Sequence, residues 1–277
     1  MADDQSNICR VCRREHAKLS FEHVPPRAAF NNEATTVYGL DDWLHRDEDG
    51  KLSGGRIAQR GAGDETLCED CNNKTASWYG TELKRAANSG ARILRESPLD
   101  ELDASLEYRW AEIDFRQSET GPHPLRLIKQ IVTMLLATSP IGFSMANPDL
   151  GDFVLDRERT GLPERFQFYL GLFAGPHARS TGFAAVLDVE RNRVDGLVEV
   201  AFPPLAYVMT VDSPDDTAIP TSNITAFVNI GYNQRADVNV ELLIGFGHTP
   251  WPADYRTTAM IERDRTLNEG EARGDVT

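Results

Sequence analysis

The sequence predicts an α+β protein, and three observations carry the prediction. Two C-x2-C pairs, Cys9/Cys12 and Cys68/Cys71, enclose 55 residues whose two ends read as short strands. A long helix-forming run starts directly after the second pair. Downstream, one apolar helix is followed by a series of strand-like runs separated by turn residues. The expected order is an N-terminal strand-strand-helix unit clamped by zinc (residues 1–97), a predominantly β domain with one prominent helix (residues 98–256), and a polar tail (residues 257–277).

The chain has 277 residues with 29 Lys+Arg against 43 Asp+Glu, a net charge of −14 and a pI near 4.9. Such a balance argues against a protein held to nucleic acid by a basic whole surface. The acidity is uneven, however: residues 1–100 hold 14 basic and 17 acidic side chains, and residues 101–277 hold 15 and 26. Hydrophobic residues at 40% and charged residues at 26% describe a globular chain rather than a disordered or fibrous one. The longest apolar stretch, residues 131–146, is broken by Thr133, Thr138, Ser139, Pro140 and Ser144, so no membrane span is expected. The first seven residues carry neither a basic nor an apolar run, and a cytoplasmic location is expected.

In a reducing compartment, two C-x2-C pairs read as a metal site before they read as disulfides. Two residues between ligands let a tight turn aim both thiolates at one ion, and two such knuckles complete the tetrahedral four-sulfur shell that suits Zn2+. A zinc with four thiolates has no open position, so its expected role is structural.

Inside the clamp, the run from Lys18 ends in Glu22-His23 and is stopped by Pro25-Pro26, which places His23 at the end of a strand. Asp64 to Leu67 reads as a second short strand leading into Cys68. The run from Asn72 to Arg95 is helix-forming, with Asn72 as a capping residue and Trp78, Leu83, Ala86 and Ala87 as a buried face. The acidic segment from Asp41 to Lys51 reads as a solvated hairpin with an Asp49-Gly50 turn.

C-x2-C at Cys9 and Cys12, Glu22-His23-Val24-Pro25, and Leu67-Cys68-x-x-Cys71-Asn72 together resemble the HNH endonucleases of the ββα-metal (His-Me finger) superfamily, over about a third of the chain. The resemblance implies a ββα-metal nuclease unit that hydrolyses DNA. His23 would be the general base, Glu22 and Asn72 the ligands of a single catalytic cation, Mg2+ or Mn2+, separate from the zinc. The chain departs from the family at the middle Asn of the triad, which usually lies about five residues before the third cysteine. Gly63 stands there, with Asp64 next. That Asn orients the base through backbone contacts in the family, and Asn31, Asn32 or Asn73 could substitute.

The chemistry agrees with that resemblance. Hydrolysing a phosphodiester needs a water deprotonated near neutral pH, which an imidazole can do, and a hard cation with oxygen ligands to neutralise charge on the phosphate. Arg13, Arg14, Lys18, Arg27, Lys74, Lys84 and Arg85 are the nearest basic side chains for phosphates. Alternate strand positions face opposite ways, so Glu22 and His23 can act together only if the strand ends or bends there. His16, His45, His123, His177 and His248 lack such a context and read as surface or hydrogen-bonded side chains. The rival reading is a non-catalytic zinc-binding interaction or scaffold protein with a nuclease-like fold.

Beyond Ser97-Pro98 the chain is acidic up to Glu107. Pro124 to Thr138 has apolar residues at helical spacing, buried on one face at least. Strands are expected at 166–173, 182–189, 197–202, 205–211, 223–230 and 238–244, with a hairpin at 191–196. Residues 245–250 read as a loop. No motif marks a second active site here, and the region is expected to serve regulation, homo-oligomerisation or partner recognition, or to cover the apolar face of the first unit.

Overall fold

In the computed structural model, the residues described are 7–37, 55–96, 110–115, 121–173, 178–188, 193–213, 221–236 and 239–245. Strand β1 (Ser20–His23) pairs antiparallel with β4 (Gly63–Leu67), and the chain then enters α1 (Glu69–Glu96). Between β1 and β4 lies a second antiparallel pair, β2 (Thr35–Val37) with β3 (Arg56–Ala58). The hairpin expected at residues 41–51 lies outside the described residues.

Helix α1 is 28 residues long and begins with Glu69 and Asp70, whose charges suit the positive end of the helix dipole. Leu83, Ala86 and Ala87 are buried as expected, and Trp78 is half-buried against the core. The helix starts three residues earlier than the sequence implies, so Asn72 lies within its first turn and does not cap it.

The second region adds β5 (Trp110–Asp114), α2 (Pro124–Thr138), α3 (Ile141–Ala146) and α4 (Pro148–Leu155). It continues with β6 (Phe166–Phe173), β7 (Arg179–Asp188), β8 (Arg193–Phe202), β9 (Leu205–Val211), β10 (Ser222–Asn223) and β11 (Asn239–Gly245). The sheet runs β5-β11-β6-β9-β8-β7, with β10 also on β6, and among the described strands only the β11–β6 contact is parallel. Mixed helix and antiparallel-rich sheet make this an α+β fold.

Helix α2 is buried all round rather than on one face, because α1 lies on one side and the sheet on the other. One hydrophobic cluster consequently runs from Cys9, Leu67 and Leu83 through Leu127, Ile131 and Leu135 to Phe166, Phe168 and Leu170. Strand β6 is buried along its whole length, and its other face carries Tyr169 and Phe173 in a second cluster with Leu197 and Val208.

Residues 223–230 depart from the expected strand. Only Ser222–Asn223 pairs with β6, and Thr225–Asn229 forms a 3-10 helix. Ile224, Phe227 and Val228 are the buried residues there, a spacing near three rather than two, so a helical turn buries them together where a strand would split them across two faces. Helices α3 and α4 were not expected. Each has Pro at or beside its start, which reads as a break in the sequence but is tolerated in a helix's first turn. The expected tail, 257–277, and residues 246–250 of the expected loop lie outside the described residues.

Candidate functional site

The two knuckles meet at the base of β4. Residues 9–14 turn back on themselves, with Cys9 N–H donating to the Arg14 carbonyl at 3.0 Å and Arg13 in the left-handed region at φ 58°. Arg10 N–H donates to the Thr66 carbonyl at 3.0 Å, which ties this turn to β4 just before the second pair. Cys68 precedes α1 and Cys71 lies in its first turn.

The four sulfurs all lie within 4.8 Å of one another, and Cys12 and Cys68 are 4.0 Å apart. A tetrahedral zinc with Zn–S bonds of about 2.3 Å separates its sulfurs by about 3.8 Å. The donor set therefore fits Zn2+ with small adjustments. Hydrogen bonding with Cys71 pulls the Cys9 thiol down to about 4, while burial pushes Cys12 up to about 11. Cys71 is raised further by its bond with Cys9 and by burial. Four thiols this close cannot all ionise against one another, and a dication is what removes that conflict.

His16, whose sequence context marked nothing, sits at this centre: its Nε2 is 3.4 Å from the Cys12 sulfur, where an N–H would steady a thiolate. Its position four residues after Cys12 was the available signal. A groove of about 460 Å³ beside it is lined by His16, Lys18, Cys68, Glu69, Asp70 and Asn73. Lys18 and Asn73 thus face this groove, which includes none of Glu22, His23 and Asn72.

His23 closes β1. Its Nε2 is 2.9 Å from the Arg60 carbonyl, and a carbonyl only accepts, so Nε2 carries the proton and Nδ1 keeps its lone pair in the neutral ring. Partial burial, with Arg27 and Arg60 nearby, lowers its pKa below the ordinary 6.5, although the Arg60 carbonyl opposes this. The ring is therefore a free base at neutral pH.

The alternation of β1 holds through its last residue. His23 packs edge-on against Phe21, with ring centroids 4.9 Å apart, so those two share a face and Glu22 shares the other with Ser20. Glu22 is 6% exposed, its carboxylate makes no hydrogen bond or ion pair among the described residues, and burial pushes its pKa up to about 7. Asn72 reaches its side of the strand. Asn72 Nδ2 donates to Ser20 Oγ at 3.2 Å and to the Phe21 carbonyl at 3.1 Å, which leaves Oδ1 as an acceptor. Asp64 stands opposite Glu22 in the β1–β4 register but is exposed, and its Oδ1 accepts from Glu65 N–H.

Comparison of the chain with protein-family models, curated proteins and solved structures returned no match. Geometry alone therefore bears on the chemistry.

Of Asn31, Asn32 and Asn73, Asn31 is the one fastened beside His23. It is 1% exposed, and its Nδ2 donates to the Pro25 and Ala62 carbonyls, both at 2.7 Å. Its Oδ1 accepts from Ala62 N–H at 2.8 Å. These bonds fasten the turn carrying the Arg60 carbonyl to the segment just after His23. Gly61, at φ +93°, allows that turn, since a Cβ there would stand 2.5 Å from Asn31 Oδ1. Asn32 and Asn73 are exposed.

The basic residues divide. Arg13 is held by Asp152 at 2.6 Å, Lys74 by Asp70 at 2.7 Å and Arg85 by the buried Glu82 at 3.1 Å. Arg14, Lys18, Arg27 and Lys84 are exposed and make no ion pair among the described residues. Arg13 belongs to a joint: it also donates to the Pro148 carbonyl, and the knuckle lies so close to α4 that a Cβ on Gly151 would meet the Val11 carbonyl at 2.3 Å. Glu82 is a joint too, accepting from His123 N–H at the start of α2 at 3.0 Å. Lys129, fully buried in α2, donates to the Phe153 and Asp156 carbonyls at the end of α4, both at 2.6 Å. Among the described residues, no helix is long and apolar enough to cross a membrane.

Proposed function

We propose that this chain is a metal-dependent endonuclease of the HNH type, hydrolysing phosphodiester bonds in DNA with His23 as general base. The observation that carries the reading is the fixed tautomer of His23: Nε2 is committed to the Arg60 carbonyl and Nδ1 is left to take a proton from water. It stands at the end of a strand-strand-helix unit whose base the four cysteines close. Asn31 acts in this reading as the positioning residue, because it fixes the turn that holds the base.

A divalent cation, Mg2+ or Mn2+, would supply charge neutralisation at the phosphate. Glu22 and Asn72 Oδ1 fit it as oxygen donors on one side of β1, and the unpartnered, buried carboxylate of Glu22 is the observation that supports this. The zinc clamp holds the two strands and the start of α1 together and takes no part in the chemistry.

One observation favours a non-catalytic zinc-binding scaffold. Glu22 and His23 face opposite sides of β1, so a substrate phosphate must lie across the strand's end to meet both. Supercoiled plasmid incubated with Mg2+ or Mn2+, with EDTA, and with the His23→Ala variant decides between them. Metal-dependent nicking that disappears with His23→Ala is expected. Nicking that persists in that variant, or no cleavage with any metal, removes the mechanism.

A further inference from the structure

Seven of the arginines with described side chains in this acidic protein are neutralised. Arg13, Arg85, Arg126, Arg157, Arg159, Arg165 and Arg179 each pair with a carboxylate. The three described on the excursion between β1 and β4, like Arg14 and Arg92, are not. Arg27, Arg56 and Arg60 are exposed and make no side-chain hydrogen bond or ion pair among the described residues. Arg27 and Arg60 lie close enough to His23 to act on its charge.

Apolar side chains are exposed on the same excursion. Phe30 is 45% exposed, Val37 38% and Ile57 62%. Phe30 is held in the left-handed region, at φ 72°, which costs a non-glycine residue about 1 kcal/mol and which the three bonds of neighbouring Asn31 sustain. Ile57 and Val37 sit on opposite faces of the β2–β3 ribbon, so neither face of that pair is covered. A two-stranded ribbon with β-branched residues open to water on both sides gains little stability alone.

We propose that Arg27, Phe30 and the β2–β3 ribbon with Arg56, Ile57 and Arg60 form a grip for duplex DNA beside His23. The three arginines supply the phosphate contacts of this grip. A two-stranded ribbon fits the roughly 12 Å major groove of B-form DNA, with Ile57 against base edges and Arg56, on the opposite face with Val37, reaching the phosphates at the groove's rim. The deep, narrow major groove of an RNA duplex does not admit it, so the grip selects DNA over RNA. The chain's net charge of −14 makes the grip weak and dependent on salt.

This inference deepens the nuclease reading and takes the place of His23 from it, so its test separates binding from cleavage. The full chain is titrated, by fluorescence anisotropy with Ca2+ in place of Mg2+, against a 30-base-pair DNA duplex and an RNA duplex of the same sequence. DNA is expected to bind at least about tenfold more tightly than RNA. The Arg56→Ala/Arg60→Ala variant should weaken DNA binding about tenfold and reduce the slope of log affinity against log salt by about 2. Ile57→Ser should weaken binding with the slope unchanged, and Arg92→Ala, exposed along α1, should do neither. Equal or tighter binding of RNA, unaltered binding by the ribbon variants, or no duplex binding overturns the grip. Cleavage of plasmid with unaltered binding by the variants leaves the nuclease reading standing without the grip; binding through the ribbon without cleavage leaves the grip without the nuclease.

Discussion

His23 donates its Nε2–H to the backbone carbonyl of Arg60, 37 positions further along the chain, at 2.9 Å. That bond fixes the ring in one tautomer and leaves Nδ1 as its basic atom. Nitrogen-15 NMR should show the Nε2–H form and a pKa below 6.5. An unfolded chain has the ordinary value, so it binds more protons than the folded one as pH falls through that region. Stability should accordingly decline toward acid and be insensitive to His23 above it. A pKa above 6.5, or the opposite tautomer, contradicts this geometry.

Asn31→Ala removes three hydrogen bonds, one buried and two partly buried, and leaves the Ala62 and Pro25 groups without that partner. A loss of about 3 kcal/mol is expected by urea denaturation. The His23 resonances should broaden or split in the folded variant, because the Arg60 turn is no longer fastened. An unchanged melting midpoint would show that the loop is held elsewhere.

Glu22 is pushed up to about 7 from 4.5 by burial. Its cost to the folded state is absent below pH 4.5, grows as pH rises toward 7, and stays at roughly 3 kcal/mol above that. Glu22→Gln should stabilise the cation-free protein at pH 8 and leave it unchanged at pH 4. Mg2+ or Mn2+ should raise the melting temperature of the wild-type chain at pH 8 and not that of the variant. If the variant responds to the cation as the wild type does, Glu22 is not its ligand.

Removing zinc should unfold the base of the first unit, since Cys9, Cys68 and Cys71 belong to the same hydrophobic cluster as Leu67 and Leu83. About one zinc per chain is expected by atomic absorption, lost on Cys68→Ser together with cooperative unfolding. A folded, metal-free Cys68→Ser protein would refute the clamp.

Gly151→Ala drives a methyl group into the Val11 carbonyl, 2.3 Å from the position of the new Cβ. Neither backbone can yield without parting the knuckle from α4, and about 2 kcal/mol of destabilisation is expected by denaturant unfolding. Zinc should also transfer faster to a chromogenic chelator. No change in either measurement would place the knuckle's support outside α4.

The sequence by itself determined the elements whose signals are local. C-x2-C spacing predicts converging sulfurs, Pro25-Pro26 ends β1 at His23, and heptad-like apolar spacing gives α2 its span from Pro124 to Thr138. Short, nearly continuous apolar runs mark β6 and β9. Tertiary contact decided the rest, because burial and hydrogen bonding between distant segments leave no periodic trace. Asn31 carries no mark in the sequence of the backbone groups 31 residues away that it binds, and Asn72 looks like a cap until β1 is laid beside its amide. Arg13 and Arg27 are the same residue type in the same N-terminal unit. Only the arrival of α4, carrying Asp152, neutralises the first and leaves the second free beside His23.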